Sequence, residues 1–559
     1  MPVQIAARQA HGPVARRQGA RASRFSALLS PPMAAAAAIV GCAAIRLWYL
    51  TTPQATLDGD EATTGVMVRR ILDGHLYTYL AGQHYNGAIE QYVQAAMLVL
   101  LPDTAFTLRL TQVGIACVVC WLIYIVGTRM LATRWQAALA AALFATGPFF
   151  NIWKGVRSHG AYGTGQILGL VAMYAALRLR NVRCGREGHP IEAEDSDAPA
   201  GRRWFAVLGL STGLALWASW SAGYLILPAL VYASPTLWRP KREAAIAGLP
   251  GLVAGYAPAL GWAIAHGTLP SLGGPQPERT PWERLASLVS PVLREFVGVG
   301  YRYGHPGWPI VLQYVLLATL GAGYVVAVVR RLLSGKSAPT DMLLLTPPTV
   351  ALLYAASRYT WWTGEPRYLF VTYPALALGI AALVPRSPGR SVDGMSLRSG
   401  IARRSAAVAI LTVWACTSAT FLARHHDDGP RDLPGCLSAA TAWLRAHGVT
   451  HVYSDYWTGM PLQFYAGDRL LVGPVGGGRT KFPEGRHVVD ADPDPVYVAG
   501  HIRDPMDEEP DHVAHVDAAL ATHGIRSQRT EVGCVVVYEH WRPLERPWEI
   551  GLGLPMPGG

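Results

Sequence analysis

The chain is 559 residues long, 51% hydrophobic and only 15% charged, with a mean hydropathy of +0.21 and a formal net charge of +11. An ordinary soluble domain carries roughly 25% charge, so a soluble multidomain protein is excluded, as are collagen, intrinsic disorder and a disulfide-dense scaffold. Of the 48 basic residues 44 are Arg, and most lie in short loops between apolar blocks, the pattern of a positive-inside membrane protein and not of a nucleic-acid binder.

A basic stretch holding Arg8, Arg16, Arg17, Arg21 and Arg24 precedes the first apolar run, 32–50. The run approaches span length and no small-residue cleavage site follows, which favours a retained anchor over a signal peptide. Later spans are expected near 109–130, 136–150, 161–180, 204–218, 222–238, 244–266, 308–331, 342–357, 368–385 and 405–422. Alternation from an inside N-terminus places 24 Lys and Arg in inner segments and 11 in outer ones. That asymmetry supports eleven spans, with the N-terminus cytoplasmic and the C-terminus extracytoplasmic. Segment 86–101 is apolar but short and carries Glu90 and Gln91. Counting it as a span would turn every later basic loop outward, so it is expected to be a re-entrant or interfacial helix in a long first outer loop, 51–108.

Cys42, Cys117, Cys120 and Cys416 fall in apolar spans as small buried hydrophobes, and Cys117 to Cys120 lacks the second ligand pair of a metal site. Arg46, near the outer end of the first span, is expected to snorkel. Trp217, Trp220 and Tyr224 are expected in an interfacial belt, as are Trp361 and Trp362. Residues 423–559 return to a soluble composition. Strands are expected at 449–454, 496–499 and 532–539, and helices at 439–446 and 512–523. The organisation is therefore a basic N-terminus (1–31), a membrane domain (32–422) and a small α/β domain (423–559), in which Cys436 and Cys534 could pair if it lies outside the membrane.

Three segments could carry chemistry. Leu57-Asp58-Gly59-Asp60-Glu61-Ala62 places three carboxylates in four residues beside the membrane, where polar groups are costly and tend to be functional. A carboxylate there can take a proton from an acceptor hydroxyl or hold a divalent cation against a phosphate. An Asp60 cap on the helix that follows would account for only one of the three. The second outer loop carries Lys154, Arg157 and His159 and no acidic residue. These cations suit a phosphate, or else simply snorkel at a helix end. A late loop ends in Gly364-Glu365-Pro366-Arg367-Tyr368 before an apolar run. No Walker loop and no dinucleotide glycine fingerprint is present.

Asp60-Glu61 after the first span, followed by Gly82-Gln83-His84-Tyr85-Asn86-Gly87 ahead of the 86–101 segment, resembles the first outer loop of the GT-C superfamily of lipid-linked-sugar glycosyltransferases. That group includes the protein O-mannosyltransferases and the aminoarabinose transferases acting on lipid A. The resemblance implies a membrane all-α fold of about eleven spans with membrane-surface helices in the first loop, here followed by the α/β tail. It implies a polyprenyl-phosphate sugar donor, an envelope glycan, lipid or protein acceptor, and no nucleic-acid partner. In that reading Asp60 is the base and Glu61 orients or shares its proton. Arg367 and Tyr368 match an Arg-Tyr motif facing the donor phosphate, with Arg157, Lys154 and His159 beside it. Asp58, Gln83, His84 and Tyr85 would line the substrate. A divalent cation is compatible, with no ligand set assigned. A lipid or glycan transporter and a non-catalytic envelope-assembly protein are the alternatives. The transporter lacks the related halves such proteins often show.

Overall fold

The computed structural model describes mainly residues 30–52, 57–180, 201–238, 244–268, 279–300, 308–335, 337–357, 366–384, 412–420, 433–475, 481–500 and 512–539. Trp361 and Trp362 lie outside the described residues, as does much of the span expected at 405–422.

Helix α1 (Pro31–Leu50) opens on two prolines, whose fixed φ suits a first helical turn. A short helix α2 (Gly59–Leu72), a hairpin of β1 (Tyr79–Leu80) and β2 (Gln83–Gly87), and α3 (Ile89–Leu100) build the first loop. At 12 residues α3 is too short to cross a bilayer, in line with the expectation for 86–101. Then follow α4 (Ala105–Met130), α5 (Arg134–Thr146), α6 (Phe149–Lys154), α7 (Tyr162–Leu179), α8 (Arg202–Ala218), α9 (Gly223–Trp238), α10 (Leu249–His266), α11 (Ile310–Ser334), α12 (Asp341–Ala356), and a 3-10 turn (Pro366–Thr372) leading into α13 (Tyr373–Leu383). Five described stretches are long and apolar enough to cross a membrane: Pro31–Leu50, Ala105–Met130, Ala245–His266, Ile310–Ser334 and Pro366–Leu383.

Small residues set the closest helix approach. A Cβ added at Gly209 or Gly213 of α8 would lie 2.0 or 2.1 Å from the carbonyl oxygens of Gly248 and Leu252. Glycines spaced four apart let the α8 and α10 backbones touch where lipid supplies no hydrophobic drive. Two sequence expectations fail here for one reason, enclosure. Arg46 does not snorkel: it is fully buried where α5 covers the end of α1, and its Nη1 donates to Ala145 O at 3.3 Å and Cys42 Sγ at 3.0 Å. Trp217 and Tyr224 are buried rather than interfacial, and Trp217 Nε1 donates to Thr78 O at 3.0 Å, docking α8 on the hairpin. Trp220 is exposed.

The tail begins with α14 (Leu433–Ala446) and alternates β3 (His451–Ser454), α15 (Tyr456–Ala466), β4 (Leu471–Pro474), α16 (Pro483–Asp490), β5 (Val496–Gly500), α17 (His512–Thr522), β6 (Gln528–Val532) and β7 (Val535–Glu539). The strands form one mixed sheet in the order β4-β3-β5-β7-β6, with β3 parallel to β4 and β5, and β7 antiparallel to β5 and β6. Cys436 and Cys534 form a disulfide that ties α14 to the β6–β7 turn. The tail docks directly on α2. Met460, Phe464 and Phe482 share a core with Met67, Leu80 and Leu108, and a Cβ at Gly65 would meet the Phe464 ring at 2.4 Å.

Candidate active site

The acids of the first loop are sorted by the start of α2. Asp58, not Asp60, is the N-cap, with Oδ1 accepting from Glu61 N at 2.9 Å. Asp60 and Glu61 then sit in the first turn, about 100° apart around the helix axis, so the two carboxylates face different surroundings.

Glu61 points inward and is 1% exposed. Arg109, near the start of α4, grips it through both oxygens, with Nε 2.9 Å from Oε1, and Ser158 N donates to Oε1 at 3.3 Å. Burial pushes this carboxyl up, but Arg109, helped by Arg157, outweighs it and leaves the group below its ordinary value. On Asp58, Oδ2 accepts from Arg157 Nη1 and from His159 Nε2, each at 2.6 Å. Lys154 Nζ contacts the other ring nitrogen, Nδ1 of His159. Burial raises Asp58, and the contacts with His159 and Arg157 more than reverse this, holding it well below the usual carboxylate range.

Asp60 is different. Its Oδ1 accepts from Tyr456 Oη of the tail at 2.8 Å, and among the described residues no cation lies within ion-pair distance of it. Burial, reinforced by Asp60, pushes the Tyr456 phenol well above its usual value, so it remains an O–H donor.

The structure thus brings Asp58, Glu61, Lys154, Arg157 and His159 into one cluster, with Asp60 on its tail-facing side. A narrow recess beside the cluster is lined by the cations Arg46, Lys154 and Arg157, by Asn151 and Gln166, and by Phe370. Arg367 is half-buried on the 3-10 turn, three residues before Phe370, and Tyr368 meets the Tyr354 ring edge-on at 6.2 Å. Gln83, His84 and Tyr85 lie on β2. Gln83 Oε1 accepts from Asn86 at 2.8 Å, His84 stands 5.0 Å from the Trp262 ring, and Tyr85 is half-buried. The residue of this motif that reaches the second loop is Asn86, whose amide would sit 3.1 Å from a Cβ at Gly160.

Sequence reasoning missed four residues here. Arg46 reads from the sequence only as a snorkelling charge, and Arg109 is only the first residue of the span expected at 109–130. Tyr456 carried no signal. Glu90, seen as a span-breaking acid, is 1% exposed and accepts from Thr164 N and Oγ1 at 2.9 Å and from Gln112 Nε2 at 2.8 Å. Burial pushes its carboxyl up.

One oxygen or nitrogen each from Asp58, Glu61 and His159 lie within 4.8 Å of one another, a spacing that fits a divalent cation. His159 supplies the second-loop ligand although that loop has no acid. Arg157 Nη1 stands 2.6 Å from Asp58 Oδ2 and 4.0 Å from Glu61 Oε2, so the donor set fits such an ion only where the guanidinium gives way.

No protein-family model matches the chain, and no curated protein matches its sequence. Solved structures do. ArnT from Cupriavidus metallidurans bound to undecaprenyl phosphate superposes with a TM-score of 0.57 at 14% identity, covering 90% of this chain and 97% of that one. Its apo form gives 0.56 at 15% identity, covering 93% and 98%. The archaeal oligosaccharyltransferase AglB from Archaeoglobus fulgidus, in complex with an inhibitory peptide and a dolichol-phosphate, is more distant, at 0.46 and 13% identity over 91% of this chain and 75% of that one. With nearly the whole of ArnT superposed on 90% or more of this chain, the chain shares the fold of ArnT.

Proposed function

We propose that this protein is a membrane glycosyltransferase that moves a sugar from a polyprenyl-phosphate carrier to an envelope acceptor, with Asp60 as general base. The observation that carries the reading is the unequal pairing of the three acids. Asp58 is held by Arg157 and His159, and Glu61 by Arg109, whereas among the described residues the Asp60 carboxylate meets a neutral phenol and no cation. A carboxylate clamped by cations is a poor proton acceptor, and one without them can serve. Glu61 then holds the cluster together rather than sharing a proton. The fold likeness to a structure bound to undecaprenyl phosphate supports a lipid-linked donor.

In the reaction the acceptor hydroxyl gives its proton to Asp60 as its oxygen bonds to the anomeric carbon. The bond from that carbon to the phosphate oxygen breaks with both electrons, and the carrier phosphate leaves. The departing anion needs charge stabilisation more than a proton, which Lys154 and Arg157 at the recess and Arg367 on the 3-10 turn would supply. Asp58, Glu61 and His159 would hold a divalent cation only in place of the Arg157 guanidinium, and the ion would then supply the positive charge that Arg157 otherwise gives.

The site faces outward in this reading. The Cys436–Cys534 disulfide supports an oxidising compartment for the tail, and the basic loops support a cytoplasmic N-terminus. Impermeant thiol labelling of intact cells after mild reduction, on variants keeping one cysteine, should mark Cys436 and spare Cys184. The reverse pattern would invert the topology. For the donor side, Arg367→Ala should weaken donor use severely and Arg367→Lys recover part of it, because a point charge replaces a planar fork. Wild-type donor affinity in both would remove Arg367 from the phosphate site.

A further inference from the structure

The tail meets the membrane domain at the acid read as the base. Asp455 caps α15, its Oδ1 accepting from Trp457 N at 2.8 Å and Thr458 N at 2.9 Å, while its Oδ2 pairs with buried His512 Nδ1 at 2.8 Å. Those contacts anchor the first turn of α15 to the core of the sheet domain. The next residue, Tyr456, is half-buried against α2: a Cβ at Gly59 would lie 3.0 Å from its ring and from Trp457. From there the phenol reaches Asp60 Oδ1 at 2.8 Å and Thr63 Oγ1 at 3.0 Å. Thr63 Oγ1 donates to Gly59 O at 2.8 Å, so toward the phenol it can only accept, and the phenol's single proton goes to the nearer and stronger acceptor, the Asp60 carboxylate.

We propose that Tyr456 is a positioning residue of the transfer reaction, fixing one oxygen of Asp60 so that the other is presented to the acceptor. This rests on the reading of Asp60 as base, and it makes the C-terminal domain a structural part of the active site rather than an appended module. A carboxylate in the first turn of a helix has several accessible rotamers, and a hydrogen bond from a ring packed between the tail and α2 selects one.

A double-mutant cycle on the full-length protein tests it, with Tyr456→Phe, Asp60→Asn and the pair measured for turnover, donor KM and thermal midpoint. Tyr456→Phe removes one oxygen and keeps the ring packing. Its turnover should fall by roughly 10- to 100-fold, the worth of one hydrogen bond to a charged group, with donor KM and thermal midpoint close to wild type. In the Asp60→Asn background the same change should cost little further, because its effect passes through Asp60. Losses that multiply, a Tyr456→Phe protein as active as wild type, or a fall in turnover matched by a fall in thermal midpoint would each overturn the proposal. Absence of turnover in wild-type protein with every donor would instead sink the transferase reading, and this inference with it.

Discussion

Arg157 and Asp58, 99 residues apart in sequence, meet at 2.6 Å and tie the second outer loop to the cap of α2. Arg157 also stacks over Trp153, 4.4 Å from the ring centroid, so the guanidinium is held from two sides. It stands where a divalent cation on Asp58, Glu61 and His159 would stand. Chelation with EDTA should therefore leave wild-type turnover intact, whereas Arg157→Ala should lose it and regain part with added Mn²⁺. Turnover of the wild type that disappears in EDTA and returns with Mn²⁺ would mean that an ion displaces Arg157 in the working enzyme.

Removal of a positioned base costs about 10²- to 10⁴-fold. Asp60→Asn keeps size and most hydrogen bonding, so turnover should drop by that order while donor binding persists. Asp58→Asn should act differently, through the loop it anchors, and raise donor KM more than it lowers turnover. Steady-state kinetics on the two variants separate these roles. A larger turnover loss at Asp58 would move the base two residues toward the first span.

The Glu61–Arg109 pair is buried on both sides, with side chains 1% and 4% exposed. Removing one partner leaves an uncompensated charge, so Glu61→Gln should destabilise the folded protein by roughly 3–5 kcal/mol. Replacing both, with Glu61→Leu and Arg109→Met, should recover much of that stability without recovering activity. Thermal unfolding in detergent checks this. If Glu61→Gln unfolds as late as wild type, the pair is not what holds α2 against α4.

Acid sensitivity follows from the depressed carboxyls. Asp58 titrates in the folded protein well below its unfolded value of 3.8, and Glu61 below 4.5. Each therefore contributes stability that is complete above its unfolded value and is lost as pH falls through its folded one. The thermal midpoint should show little dependence on these groups from pH 8 down to roughly pH 5 and then fall. Asp58→Asn should flatten part of that acid limb. An unchanged limb in Asp58→Asn would show that other groups set it.

Much of the architecture is legible in the sequence because it depends on local composition. Apolar blocks mark the long helices, and the length and two polar residues of 86–101 mark a short one, the 12-residue α3. The strands β3, β5 and β7, built on Val and Tyr, stand out in the tail. By contrast β4 is four residues with Gly473 and Pro474, β6 is mostly polar, and α15 contains Gly459 and Pro461, each a local signal against the element that forms. Tertiary packing overrides them.

The cluster was legible in its acids and second-loop cations but not in its pairing. Glu61 finds Arg109 across 48 residues, and Asp60 finds Tyr456 across 396. No periodicity encodes such contacts. The burial of Arg46 is of the same kind, because enclosure by α5 and the second loop is a property of the assembled helices. The acids after the first span, the second-loop cations and the motif leading into α3 are what can be read in advance.

Release of carrier phosphate is the most direct measurement of the central claim. Purified protein in a lipid bilayer mimic, given a panel of polyprenyl-phosphate sugars with an envelope extract as acceptor, should release polyprenyl phosphate from at least one donor. That release should collapse in Asp60→Asn protein of wild-type thermal midpoint. No release from any donor, or equal release by the Asp60→Asn protein, would contradict the assignment of a lipid-linked-sugar transferase with Asp60 as its base.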